Sequence, residues 1–355
     1  MKTALVFDPY LDTLGGGERY TLTVAKVLAA SGYQVSLAWN NKEILKDATK
    51  RFGLNFKDIT LDQNAFNLLK TSGQFLKKIK ATRKYDLIFF LSDGSIPFLF
   101  GKKNLIHFQV PFKKITNFKK LNCLKFKLIN KFVYNSNFTQ NVLEKNLPKN
   151  GLVIYPPIDT GSLKPASKKQ NIILAVGRFD SPSHSKRQDV LIEAFKLLHQ
   201  TTKGNYKLVL AGGLIGDNAP LKKLKTQAKG LPVEFMVNPS FKELSSIYSQ
   251  AKIFWHAAGF EIDEQQSPDR VEHFGMTTVE AMSAGCVPVV CNKGGQKEII
   301  TTGTGYLWNT IPELVSQTLL IIKDSKVLKE VSKNALKRSS YFGLETFKSS
   351  FKKLI

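Results

Sequence analysis

The stretch ALVFDPYLDTLGGGERYTLTVAKVLAASGYQVSL, residues 4–37, sets the fold class. Ala4-Leu-Val-Phe7 is a short β-type run. Gly15-Gly-Gly17 follows a loop, and a helical period runs from Glu18 to Ala30 with Leu22, Ala25, Leu28 and Ala29 on one face. Val35-Ser-Leu37 resumes strand character. Strand, helix, strand in that order is the βαβ unit of a parallel sheet. Further strands are expected at Asp86–Ser92, whose unbroken apolar run suits burial on both faces, at Asn104–Phe108 and at Phe132–Asn135.

The grammar pauses at Tyr155-Pro-Pro-Ile-Asp159, where paired prolines lead into a lysine-rich, weakly apolar stretch ending near Gln170. It then restarts. Asn171–Gly177 is a strand ending in glycine, residues 189–198 carry a helical period, and Tyr206–Ala211 is a strand ending in Gly212-Gly213. Ile253–His256, a helix over Phe274–Ala284 and Val287–Val290 continue the alternation. The expected class is α/β: two Rossmann-like parallel-sheet domains, residues 1–160 and 161–340, with 341–355 a final aromatic helix at the domain junction. A chain of 355 residues suits two medium domains.

Composition narrows the partners. Hydrophobic residues make up 43% and charged residues 23%, which excludes wholesale disorder. Lys and Arg number 52 against 28 Asp and Glu, a formal charge of +24 that favours anionic partners. Three cysteines form no disulfide framework and no Cys-x-x-Cys pair, so a reducing cytoplasm is expected. The N-terminal residues reach Asp8 after too short an apolar run for a signal peptide, and the greasiest stretch, 87–100, is broken by Asp93, Gly94 and Pro97. Any membrane association is therefore expected to be peripheral.

The densest chemical signal is Glu272-His-Phe-Gly-Met-Thr-Thr-Val-Glu280, continuing through Ala-Met-Ser-Ala-Gly285 to Pro288. A helix beginning near Gly275 would present free amides to a phosphate, with Glu280 placed to accept from ribose hydroxyls. On spacing alone, an acid stabilising the helix dipole plus a solvated second acid fits as well. Gly16 and Gly17, between strand and helix, would let a ligand approach the backbone closely, or would serve simply as a turn.

These motifs closely resemble glycosyltransferase family 4. The likeness also takes in Gly15-Gly-Gly-Glu-Arg19, Val176-Gly-Arg178 with Lys186, Asn135-Ser136 and Tyr155–Asp159, nearly the whole chain. It implies a retaining enzyme of the GT-B fold, its two domains facing a cleft and its C-terminal helix crossing back. The opening glycines, the His107 strand and Glu272-His-Phe-Gly are also similar to mannosyltransferases that build lipid-linked oligosaccharides. The resemblance implies that Glu280 binds the nucleotide ribose and Glu272 holds the transferred sugar. It further implies that the backbone of His273, Phe274, Gly275, Met276 and Thr277 meets sugar and diphosphate, and that His107 faces the donor sugar. Arg178 and Lys186 would neutralise the diphosphate, with Arg187 a competitor for the second role. The donor would be a GDP- or UDP-linked sugar, with no cofactor and no metal.

Residues 102–131 hold nine lysines and no Asp or Glu, interleaved with bulky apolar residues. Lys113, Lys114, Lys119 and Lys120 are expected to rest on anionic headgroups at the inner face of the cell membrane, where a glycan or lipid-linked acceptor would lie. A solvated basic face is the plainer alternative. A sugar-nucleotide epimerase of the same fold is the rival enzyme, and a basic nucleic-acid-binding protein the rival of another class. No nucleic-acid partner is expected, because no helix-turn-helix, ribonucleoprotein motif or zinc finger is present.

Overall fold

The computed structural model describes all residues except 72, 116–118, 180–184 and 203, and the side chains of 119–122 are likewise not described. The chain forms two units, Met1–Pro157 together with Glu345–Ile355, and Ile158–Leu344. The break falls inside the Tyr155–Asp159 segment.

The first unit is a seven-stranded sheet of β1 (Lys2–Phe7), β2 (Tyr33–Ala38), β3 (Ile59–Leu61), β4 (Leu87–Leu91), β5 (Lys103–Phe108), β6 (Lys131–Tyr134) and β7 (Leu152–Val153). Its spatial order is β3-β2-β1-β4-β5-β6-β7 and every pairing is parallel. Every side chain of β4 is buried, as its unbroken apolar run requires when both sheet faces are covered. The helix Asn137–Leu143 starts where Ser136 Oγ accepts from the Thr139 amide at 3.0 Å, a cap that gives Asn135-Ser136 a local structural role.

The second unit is a six-stranded parallel sheet of β8 (Gln170–Val176), β9 (Lys207–Gly212), β10 (Val233–Val237), β11 (Ala251–His256), β12 (Val287–Cys291) and β13 (Tyr306–Trp308). Its order is β10-β9-β8-β11-β12-β13. Trp255 and Trp308 are fully buried in its core, and the Trp255 indole donates to Thr318 Oγ1 at 3.0 Å.

The expected segment 341–355 divides between the units. A 3-10 turn, Ser340–Phe342, belongs to the second. The helix Leu344–Lys352 buries Phe347 and Phe351 in the core of the first, where Phe347 meets Tyr20 edge-on at 4.9 Å.

In each sheet the strand order reverses once, between β1 and β4 and between β8 and β11. Loops at the carboxyl ends of such strand pairs diverge to opposite faces and leave a crevice, which is where open α/β sheets bind ligands.

Candidate functional site

In the second unit the reversal lies between neighbours β8 and β11. The chain leaves β8 through Gly177 and Arg178, and β11 ends on His256. Gly177, Phe179, Lys186, Gln188, Trp255 and His256 line a depression between these ends. Gln188 Nε2 donates to the Arg178 carbonyl at 3.0 Å and holds the loop. Arg178 itself is exposed.

Glu272 stands at the centre of this geometry. Its Oε2 accepts from Lys186 Nζ at 2.6 Å and lies 2.9 Å from His256 Nε2. Burial alone would raise the Glu272 pKa, but the Lys186 charge and the His256 contact outweigh it and hold the carboxyl well below the usual range. Glu272 is therefore an anion at neutral pH, and against it His256 Nε2 carries the proton. Arg187 faces elsewhere. It pairs with Asp189 at 3.2 Å and Glu261 at 3.5 Å and donates to the Phe260 carbonyl, so of the two neighbours it is Lys186 that contacts Glu272.

The loop carrying Glu272 is seated on a second loop after β12. Gly295 N–H donates to the Glu272 carbonyl at 2.8 Å, and Gly294 N–H donates to the Glu264 carboxylate at 2.8 Å. Gly294 has φ +57°, and a Cβ there would lie 2.1 Å from the Glu272 oxygen, so only glycine fits.

Beyond Glu272, the helix Met276–Ser283 starts from Gly275 at φ +117°. The first helical bonds are those of the Thr278 and Val279 amides to the Gly275 carbonyl. Met276 and Thr277 N–H thus precede the ladder, and they form the positive end of the helix. One turn on, Glu280 Oε2 accepts from the Tyr248 hydroxyl at 3.1 Å, which fixes the acid's orientation. Phe274 and His273 contribute differently from a side-chain ligand set. Phe274 is 2% exposed and packs on Phe342, while His273 is half-buried with Nε2 3.1 Å from the Asp269 carbonyl.

His256, weighed from the sequence only as a less certain histidine than His107, sits at the site, and the Gly294-Gly295 pair carried no expectation. Both had a usable signal: each follows or ends an apolar strand, and carboxyl strand ends are where ligands bind.

The remaining candidates lie in the first unit, and there the structure corrects two expectations. His107 is fully buried on β5, stacked on Tyr20 at 4.0 Å and beside Phe89 at 5.4 Å. Its Nδ1–H donates to the Val133 carbonyl at 3.0 Å, and burial pushes its pKa down to about 3. It is a neutral core residue out of reach of a sugar.

Gly16 and Gly17 form the first turn of the helix Gly16–Ala30 rather than a loop ahead of it. Glu18, buried, brings its own carboxylate to that turn and accepts from the Gly15 amide at 2.6 Å. Asp8, also buried, adds a second acid. The Gly15 amide is thus already taken by the protein's own carboxylate. Lys113 and Lys114 are exposed. The Lys119 and Lys120 side chains lie outside the described residues.

Asp8 yields a pH prediction. Burial first, then the Glu18 charge, raise its pKa to about 7. A carboxyl whose folded pKa exceeds its unfolded value of about 3.9 stabilises the fold fully below that value and loses the contribution as pH rises to about 7. Between pH 5 and pH 8 the Tm of the wild type should fall further than that of Asp8→Asn, measured by thermal denaturation in matched buffers.

Residues 162–338 match the family described as glycosyl transferases group 1. Those residues belong to that family. They lie wholly inside the second unit and include Lys186, His256, Glu272 and Glu280. The chain is 27% identical over 240 residues to the GDP-Man:Man(3)GlcNAc(2)-PP-Dol alpha-1,2-mannosyltransferase of Dictyostelium discoideum, covering 62% of this chain and 45% of that one. It is 27% identical over 290 residues to the alpha-1,3/1,6-mannosyltransferase of Saccharomyces cerevisiae, covering 66% and 56%. The chain thus spans about half the length of these curated relatives. Anabaena HepE, solved in complex with UDP-glucose, has the same fold with a TM-score of 0.71 at 19% identity, covering 99% of both chains. The fold is GT-B, and the group 1 domain carries the Glu272 cluster at its topological switch point.

Proposed function

We propose that the protein is a retaining glycosyltransferase of family 4 type that moves a hexosyl group, mannosyl in this reading, from a nucleotide diphosphate sugar to a glycan or lipid-linked acceptor. The observation that carries the reading is the grouping of an anionic Glu272, a lysine in contact with it and a free helix N-terminus at one strand-order reversal. The likeness to mannosyltransferases named for GDP-mannose and dolichol-linked acceptors supports the choice of sugar and acceptor class.

In this reading the diphosphate lies against the Met276 and Thr277 amides, with Arg178 and Lys186 as its cations. The ribose takes Glu280, and the sugar hydroxyls take Glu272. As the glycosidic C–O bond breaks, negative charge grows on the leaving phosphate, and donors already aimed there lower the barrier without reorganising. The acceptor oxygen forms the new bond on the face the phosphate leaves, and the acceptor's proton passes to a phosphate oxygen. No metal enters this scheme. Acceptor and acidic membrane surface are assigned to the first unit, with the enzyme peripheral on the cytoplasmic face. Among the described residues no helix is long and apolar enough to cross a membrane.

The test is incubation with radiolabelled GDP-mannose, UDP-glucose or UDP-N-acetylglucosamine, with and without lipid extract. Label from GDP-mannose should enter the lipid fraction. Binding of none of the three donors, beside tight salt-sensitive binding to DNA, would overturn the reading.

A further inference from the structure

Three segments distant in sequence meet on one face of the first unit. The helix Phe75–Thr82 presents Phe75 and Leu76, which are 47% and 79% exposed. Phe75 sets its edge against Phe98 at 5.1 Å and Phe100 at 5.5 Å, and these two rings lie parallel, 6.2 Å apart. From the helix Lys119–Leu128, Lys125 reaches over the Phe98 ring at 5.4 Å, and its neighbour Leu124 is 55% exposed. Scattered exposed apolar residues are ordinary on a protein surface, whereas a contiguous aromatic cluster marks a contact site.

The charge around the cluster has one sign. Lys77 and Lys80 are exposed on the same helix, and Lys78 stands close enough to Lys125 for the two to repel each other's charge. Residues 71–84 and 95–131 contain no Asp or Glu. A second copy of this chain is a poor occupant, because a two-fold contact would set these lysines against their own counterparts. An acidic bilayer satisfies both halves of the surface. Aromatic and aliphatic side chains enter the headgroup boundary, and lysine stems lie along them with the ammonium groups at the phosphates.

We propose that the first unit docks on anionic lipid bilayers through Phe75, Leu76 and Leu124, with Lys77, Lys78, Lys80 and Lys125 as headgroup contacts. This deepens the membrane part of the proposed function and moves the anchoring from the lysines of 113–120 to an aromatic cluster. It rests on the transferase reading only for what the docking serves. Salt would screen the lysine contribution while leaving the apolar one.

The experiment is flotation with phosphatidylcholine vesicles, with and without phosphatidylglycerol, at low and high salt. Wild type should float strongly with the acidic vesicles and only weakly with the neutral ones. A variant carrying Phe75→Ser and Leu76→Ser should partition at least roughly tenfold less at high salt, from the lost apolar burial. A variant carrying Lys77→Ser and Lys80→Ser should lose binding mainly at low salt. Circular dichroism checks that each variant is folded. Equal flotation of the Phe75/Leu76 variant and the wild type would overturn the proposal, as would equal binding to neutral vesicles or a wild-type dimer dissolved by the same substitutions. Donor binding, read as a thermal shift with GDP-mannose, should be unchanged in both variants. Absence of any shift in the wild type with GDP-mannose, UDP-glucose and UDP-N-acetylglucosamine alike would sink the transferase reading and leave the vesicle result standing.

Discussion

Replacing Glu272 by glutamine is expected to cut kcat/KM for sugar transfer by about 10²–10³-fold, the loss seen when one preorganised electrostatic contact to a reacting group is removed. Glutamine keeps the shape, so the Gly294-Gly295 seat under the loop survives and the fold should remain intact by circular dichroism. What is lost is the negative charge that Lys186 and His256 share at 2.6 and 2.9 Å. The pH profile offers a second readout. Because the folded pKa of Glu272 is depressed, the wild-type carboxylate stays charged below the ordinary range near 4.3. The stabilisation it contributes is present above the unfolded pKa and is lost only as pH falls through the lower folded value. Protonation of Glu272 should therefore place no acid limb on kcat/KM above about pH 4. A glutamine variant with wild-type turnover would remove Glu272 from the site.

The second large effect is expected at Lys186. Lys186→Ala removes a cation assigned both to Glu272 and to the leaving diphosphate, and about 10²–10³-fold of kcat/KM should go with it. Its distinguishing signature is in the pH dependence. Without the ammonium, burial is opposed only by His256, so the Glu272 pKa rises and an acid limb should move up toward neutral pH. Arg187→Ala is the internal control. Its guanidinium is committed to Asp189, Glu261 and the Phe260 carbonyl, so that variant should lose stability rather than shift the acid limb. The same pH profile in Lys186→Ala as in the wild type would contradict the pairing.

Both sheets could be read from the strand–glycine–helix grammar because parallel strands buried on two faces leave unbroken apolar runs, as in 87–91 and 172–176. The edge strands at 59–61, 152–153 and 306–308 left no such run; two or three residues carry no period. The glycine-started helix near 275 was legible for a local reason, since a chain reversing at Gly275 has nowhere else to begin it. His107 shows the opposite case. Its position near a strand end was visible, but which face its side chain takes depends on packing against Tyr20 and Phe89, from other elements. The support of Glu272 by Gly294, and the meeting of residues 75, 98, 100 and 125, are tertiary facts with no local signature.

In the proposed function the reversal between β8 and β11 holds the diphosphate of an activated sugar. A crystal structure of the full chain grown with GDP-mannose tests it most directly. Diphosphate density is expected against the Met276 and Thr277 amides within reach of Lys186, with the ribose on Glu280. Density for the nucleotide sugar at any other place on the chain would contradict it.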